Sequence, residues 1–184
     1  MVLASASPRR AELLRNAGIA FIVAPSDIPE VRQQGESPEQ FVRRVAREKA
    51  IAVAKIYPGR VVLGADTDVI VDHTVLGKPR DADDAKAMLR LLSGRTHLVM
   101  SAVTLVGPQA DDTRVESTSV TFVDISDDEI ASYVASGEPL DKAGAYAIQG
   151  IASRWIPRIE GCYFNVVGLP VPLVYRMLRD NGCF

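Results

Sequence analysis

The sequence predicts an α/β protein on a mixed sheet. Short apolar runs alternate with capped helical segments through the first half, and hairpin-like pairs of alternating runs follow in the second. A hydrophobic content of 47% against 24% charged residues supplies a sizeable core and excludes a disordered chain. The 184 residues suit one domain spanning 1–184, since no internal repeat, low-complexity tract or linker divides them.

Residues 2–5 read as a buried strand running into a helix. Ser7 is its N-cap, because its hydroxyl can accept from first-turn N–H groups, and Pro8 sits where a missing N–H costs nothing. Leu13, Leu14 and Ala17 face inward, and Gly18 stops the helix. Residues 19–24 form a second strand, and residues 25–36 a loop rich in Pro, Gly and acids. Ser37-Pro38-Glu39-Gln40 is a capping box opening a long helix to about Ile56, ended by Pro58-Gly59. Residues 61–65 have the continuous apolar character of a fully buried strand, which delivers Asp66 and Thr67 at its end. Residues 69–71 and 75–76 flank a hairpin turn at Asp72-His73-Thr74.

Asp81 caps a helix running to Leu92 and closed by Gly94. Residues 96–106 and 115–123 alternate as strands across a polar hairpin loop at 107–113. Ser126-Asp127-Asp128-Glu129 is a second capping box, whose helix Gly137 stops. Two further strands are expected near 153–159 and 163–167, and Pro170 begins a terminal helix ending before Gly182.

Composition excludes several function classes. A net charge of −2 argues against a nucleic-acid polymer as partner, because such binders carry a strong basic excess. Cys162 and Cys183 lack metal-type spacing and read as free thiols of a reducing compartment. No apolar run reaches membrane-spanning length, and a strand entering a helix is not a signal peptide, so a cytoplasmic protein without a membrane partner is expected. Phosphate-loop, dinucleotide-fold and hydrolase-elbow patterns are missing. His73 and His97 form no cluster and read as structural.

Three segments carry candidate chemistry. Arg9 and Arg10 add positive charge to the positive end of a helix, beside Ser5 and Ser7; this fits a ligand with several negative charges, phosphate foremost, or a solvated first turn. Asp66, with Asp68 two residues on, can hold Mg²⁺ or Mn²⁺ or accept a proton from an attacking water, or simply cap a turn. Gly64 and Ala65 before it leave space for a ligand or metal to approach the backbone. Lys78, on a tight turn after the hairpin, is a phosphate contact or a surface lysine. Arg43, Arg44 and Arg47 read as an exposed stripe partly balanced by Glu48, whereas Lys49, four residues beyond Val45, lies on the semi-buried side. Gln149, between Ile148 and Gly150, can read a base edge with both donor and acceptor, or serve as a polar loop residue.

Taken in chain order, these segments resemble the Maf family of nucleoside triphosphate pyrophosphatases. The matching stretches are Ser5-Ala6-Ser7-Pro8-Arg9-Arg10, Gly64-Ala65-Asp66-Thr67, Gly77-Lys78-Pro79, Leu92-Ser93-Gly94, Asp141-Lys142-Ala143-Gly144-Ala145-Tyr146 through Gln149-Gly150, and Val167-Gly168-Leu169-Pro170. The resemblance implies an ITPase-like mixed twisted sheet with flanking helices and two lobes around a central cleft. It implies a cytoplasmic, metal-dependent house-cleaning enzyme, commonly a homodimer, that cleaves a nucleoside triphosphate between its α- and β-phosphates. Asp66 would be the catalytic and metal-side carboxylate. Arg9, Thr67 and Gln149 would govern substrate choice, with Ser7, Lys49, Lys78 and Lys142 as further substrate contacts. Gly-Ala-Asp-Thr, with Asp-Lys-Ala-Gly-Ala-Tyr-x-Ile-Gln-Gly, resembles the dTTP/UTP-preferring branch; the 7-methyl-GTP branch carries Gln after the Asp. Pro29 stands where the family has the first acid of a loop pair, leaving Glu30 or Asp27 to supply a metal carboxylate.

Overall fold

The structure, a computed structural model, describes residues 1–183. Its strands are β1 (Val2–Leu3), β2 (Ile22–Val23), β3 (Val62–Val71), β4 (Thr74–Leu76), β5 (Thr96–Gly107), β6 (Ala110–Thr121) and β7 (Arg158–Glu160). Its α-helices are α1 (Pro8–Asn16), α2 (Pro38–Ala54), α3 (Ala82–Leu92), α4 (Asp127–Ala135), α5 (Tyr163–Val167) and α6 (Val171–Asp180). The strands make one mixed sheet in the order β2-β1-β3-β5-β6-β7, with β4 pairing on β3. β1 runs parallel to β2 and β3, whereas β3–β4 and β6–β7 are antiparallel. The α/β class and mixed sheet expected from the sequence are therefore present.

The chain folds as two compact units. Among the described residues the first comprises Met1–Thr67, Ser101–Glu116 and the segment from Gly168 onward. Its core sets Val2, Ala4 and Val62 of the sheet region against Ala50 and Val53 of α2. Ser7 caps α1 by accepting from the Arg10 N–H at 3.4 Å, with Pro8 in the first turn. Ser37 and Gln40 form the reciprocal capping box of α2. α6 buries Leu173, Val174, Met177 and Leu178, an i, i+1, i+4, i+5 stripe.

The second unit comprises Asp68–Met100 and Ser117–Val167. Its core joins Leu89 and Leu92 of α3, Ile130 and Tyr133 of α4, and Phe122, Tyr146 and Trp155. Ser126 and Glu129 form the second capping box. Ser93, just past α3, accepts from the Ile125 N–H at 2.7 Å and so fixes the entry to α4. Gly94 beside it has φ +65, a left-handed conformation that favours glycine.

Five expectations need correction. β3 does not end at Ala65 but continues to Val71, so Asp66 and Thr67 lie inside a strand. The second strand shortens to Ile22–Val23. The hairpin after β5 is tight, because β6 begins at Ala110 rather than 115; Asp111 to Arg114 are a continuous polar run, which hides the start of the strand from a hydrophobic pattern. Residues 163–167 are helical, not a strand. Five residues cannot separate the two periodicities, and the buried Asn165 amide decides the matter by donating to Val99 O (2.9 Å) and Thr118 Oγ1 (3.0 Å). Of the strand expected near 153–159, only β7 remains; Ile151–Trp155 is a 3₁₀ turn that brings Trp155 edge-on to Tyr133.

Candidate active site

In the first unit the site is built on α2 and β3. Lys49 shares a helix face with Val45, Ala46 and Val53, all buried, so its stem points inward. Its ammonium lies 2.8 Å from Asp66 Oδ1 and 2.8 Å from Glu30 Oε1. Lys49 and Asp66 are 7% and 5% exposed, a depth at which an unpaired charge is costly. Each therefore requires the other. Glu30 reaches them from the loop before α2 with its side chain half exposed. Asp27, the other acid considered for this role, is exposed.

The loop carrying Glu30 is itself anchored. Arg44 donates to both Glu36 oxygens (2.7 and 2.9 Å) and to Val31 O (3.0 Å). The Arg44 hydrogen bond holds the Glu36 carboxyl down at about 2. Arg43 and Arg47 bond Thr113 O and Asp111, so the arginine stripe is an exposed face tied to neighbouring acids and carbonyls. Gly64 also differs from expectation. The space its missing side chain leaves is taken by α2, since a Cβ would stand 2.3 Å from Ala46 O and 2.8 Å from Ala50 N. It serves helix–strand approach, not ligand approach.

Arg10 joins the N-terminal and C-terminal motifs. Its Nε donates to Gly168 O (2.8 Å), Nη1 to Ala65 O (2.8 Å) and Ser5 Oγ (3.2 Å), and Nη2 to Thr67 Oγ1 (3.1 Å). Ala65 and Thr67 flank Asp66, so this guanidinium clamps β3 on both sides of the carboxylate. Thr67 Oγ1 also pairs with Ser101 Oγ (2.8 Å) and bonds Gly168 O (3.2 Å). The sequence offers two readings of the Arg9-Arg10 pair, phosphate contact or solvated first turn, and neither includes this internal role of Arg10. The signal is present: Arg10 lies three and four residues before Leu13 and Leu14 and so shares their inward stripe, whereas Ala17, expected on the same face, is exposed at the C-cap of α1. Arg9 is half-buried on α1, and Ser7 is engaged as the cap.

The second unit holds the remaining candidates. Lys78 is exposed, and its turn is bound to the Asp141–Tyr146 segment by the Gly144 N–H on Gly77 O at 3.1 Å. The Lys142 ammonium donates to Glu138 O at 2.7 Å and to the Asp141 carboxylate. Gly144 has φ +67, and a Cβ would meet Val69 Cγ2 at 2.7 Å, which explains the small residues here. Gln149 is exposed in a turn. His97 is the structural residue expected: it is buried, bonded through Nε2 to Tyr146 OH at 2.9 Å, and burial pushes its pKa down to about 4. Among the described residues, no group of three or more His, Cys, Asp or Glu side chains converges as a metal site.

The structure thus gathers Asp66, Lys49 and Glu30 in one unit, and links the Lys78 and Lys142 segments in the other. Comparison with known proteins gives a consistent picture. The family model described as Maf-like protein matches residues 1–181. A Koribacter versatilis protein named dTTP/UTP pyrophosphatase is 56% identical over 99% of this chain and 94% of its own length. Proteins of the same name from Geobacillus sp. and Symbiobacterium thermophilum are 47% and 50% identical over 99% of this chain, covering 98% and 94% of theirs. With its motifs in order and a family match over nearly its full length, this chain belongs to the Maf family.

Proposed function

We propose that this chain is a nucleoside triphosphate pyrophosphatase that hydrolyses dTTP and UTP to the monophosphate and pyrophosphate. The observation that carries the chemistry is the buried Asp66 carboxylate held through Oδ1 by Lys49, with Glu30 on the same ammonium. The substrate class rests on relatives of about half identity that bear the name dTTP/UTP pyrophosphatase.

Asp66 acts as the general base. Its Oδ1 is committed to Lys49, which fixes the carboxylate and leaves Oδ2 to take a proton from the attacking water. Arg10 holds the strand on either side, so the acceptor does not drift. Arg9 places charge on the polyphosphate near a helix N-terminus, with Ser7 beside it. Lys49, Lys78 and Lys142 supply further positive charge for a substrate with several negative ones. Thr67 and Gln149 set substrate choice, Gln149 by pairing with the base.

A divalent cation, Mg²⁺ or Mn²⁺, is part of the proposal. The donor set fits it in kind: Asp66 and Glu30 are hard oxygen ligands that both meet the Lys49 ammonium, and Mg²⁺ is commonly held by one or two carboxylates with water and substrate phosphates completing the shell. Bound there, the ion would supply charge neutralisation and a more acidic water. The proposed partners are the nucleotide and a second copy of the chain, without a nucleic-acid polymer, in keeping with the net charge of −2. No helix among the described residues is long and apolar enough to cross a membrane.

The test is pyrophosphate release across a panel of ribo- and deoxynucleoside triphosphates with each metal. dTTP and UTP should give the highest kcat/KM. A purine triphosphate leading the panel would contradict the substrate assignment.

A further inference from the structure

The turn that carries Gln149 does not hold itself. Its own backbone supplies the Gly150 N–H to Ala147 O bond at 3.1 Å. The N–H groups at its two ends, Ala147 and Ile151, go elsewhere. Ala147 N–H donates to Tyr133 OH at 3.3 Å. Ile151 N–H donates to the Glu138 carboxylate, at 3.1 Å from Oε1 and 3.3 Å from Oε2. Tyr133 OH in turn donates to Glu138 Oε1 at 2.9 Å, so both ends of the turn meet one hydrogen-bonded pair. We propose that Tyr133 and Glu138 are positioning residues for base selection, which fix the turn from both ends and thereby aim Gln149. The proposal rests on the reading of Gln149 as the base contact.

Several features support a built device. Tyr133 is 1% exposed and packs edge-on against Trp155 at 5.1 Å, so its hydroxyl is set by core packing. Burial pushes the phenol pKa up, which keeps it a donor to Glu138 while it accepts from Ala147. Glu138 lies against the α-carbon of Gly150: a Cβ there would stand 2.0 Å from Oε1. The Glu138 carbonyl also receives the Lys142 ammonium at 2.7 Å. One residue thus organises Lys142 and the Gln149 turn, while the Gln149 side chain is left exposed to offer its amide. An amide selects a base only when held within a fraction of an ångström, which a free surface turn does not achieve.

The test uses the full chain with Tyr133→Phe, Glu138→Ala, Glu138→Gln, Gln149→Ala and the Tyr133→Phe/Gln149→Ala double variant. The reading is the ratio of kcat/KM for dTTP to that for dGTP. Tyr133→Phe and Glu138→Ala should each lower that ratio roughly 5- to 50-fold, within the range that one base contact supplies. Glu138→Gln keeps an oxygen for both donors and should restore selectivity to within about threefold of the parent protein. The double variant should be no less selective than Gln149→Ala alone, because the hydroxyl acts through that side chain. Equal losses on both nucleotides, or additive effects in the double variant, would overturn the proposal and leave a purely structural clamp. If the parent protein hydrolyses neither nucleotide, the function reading fails. The same variants are then read by the ratio of dTTP to dGTP dissociation constants from calorimetry, where an unchanged ratio overturns the clamp. Should Tyr133→Phe not fold, the Glu138→Ala and Glu138→Gln pair decides.

Discussion

Asp66 and Lys49 form a pair in which neither charge is tolerable alone. Truncating one member of such a buried pair costs about 3–5 kcal/mol, because the survivor is left uncompensated. Asp66→Asn is gentler, since the amide oxygen still accepts from Lys49 and Glu30 still neutralises it. We expect Asp66→Asn to remain folded with a lowered melting temperature, and kcat for pyrophosphate release to fall at least roughly 10²-fold. Near-parental kcat in the folded variant would reject Asp66 as the base. The two arginines of α1 should separate in the same assays. Arg10→Ala removes the hydrogen bonds to Ala65 O, Gly168 O, Ser5 Oγ and Thr67 Oγ1, each worth about 0.5–1.5 kcal/mol. It should be recognised by a lowered denaturation midpoint. Arg9→Ala should lower kcat/KM on all nucleotides by similar factors. A loss confined to one base class would show that Arg9 reads the base instead.

At the scale of elements, the approach of α2 to β3 sets the depth of the Lys49–Asp66 pair. Gly64→Ala would drive a methyl group onto Ala46 O and Ala50 N, and overpacking of this kind costs about 1–3 kcal/mol. Urea unfolding should show a lower midpoint at unchanged slope. The capped helices were legible in the sequence because their signals are local: Ser7, Ser37, Asp81 and Ser126 each cap the helix that they announce. Lys49 was legible as the inward cation, for its face is shared with Val45 and Val53. The internal role of Arg10 is not legible, because its acceptors are carbonyls more than fifty residues away. The Tyr133–Glu138 pair left no trace as a pattern, since a side chain bonding a distant turn has no periodicity. Gly64 was read backwards because spacing shows that a residue must be small but not which neighbour needs the room.

For the whole molecule, pH connects the core to stability. His97 has a folded pKa of about 4 against an ordinary value of 6.5, so the unfolded chain binds the extra proton between these limits. Stability rises with pH across that window: it is full above about 6.5 and is lost as pH falls through the window toward 4, to the extent of about 3 kcal/mol. Glu36, held at about 2 by Arg44, adds a loss of the same sign below about 4.5. The melting temperature should therefore fall from pH 7 to pH 4, and His97→Gln should flatten the upper part of that fall. A parallel fall in the variant would place the proton elsewhere.

In the proposed reaction Asp66 directs water to the α-phosphorus and pyrophosphate leaves. Product analysis of dTTP turned over with Mg²⁺ or Mn²⁺ should give dTMP and pyrophosphate in equal amounts, both lost with Asp66→Asn. Formation of dTDP and orthophosphate would contradict it.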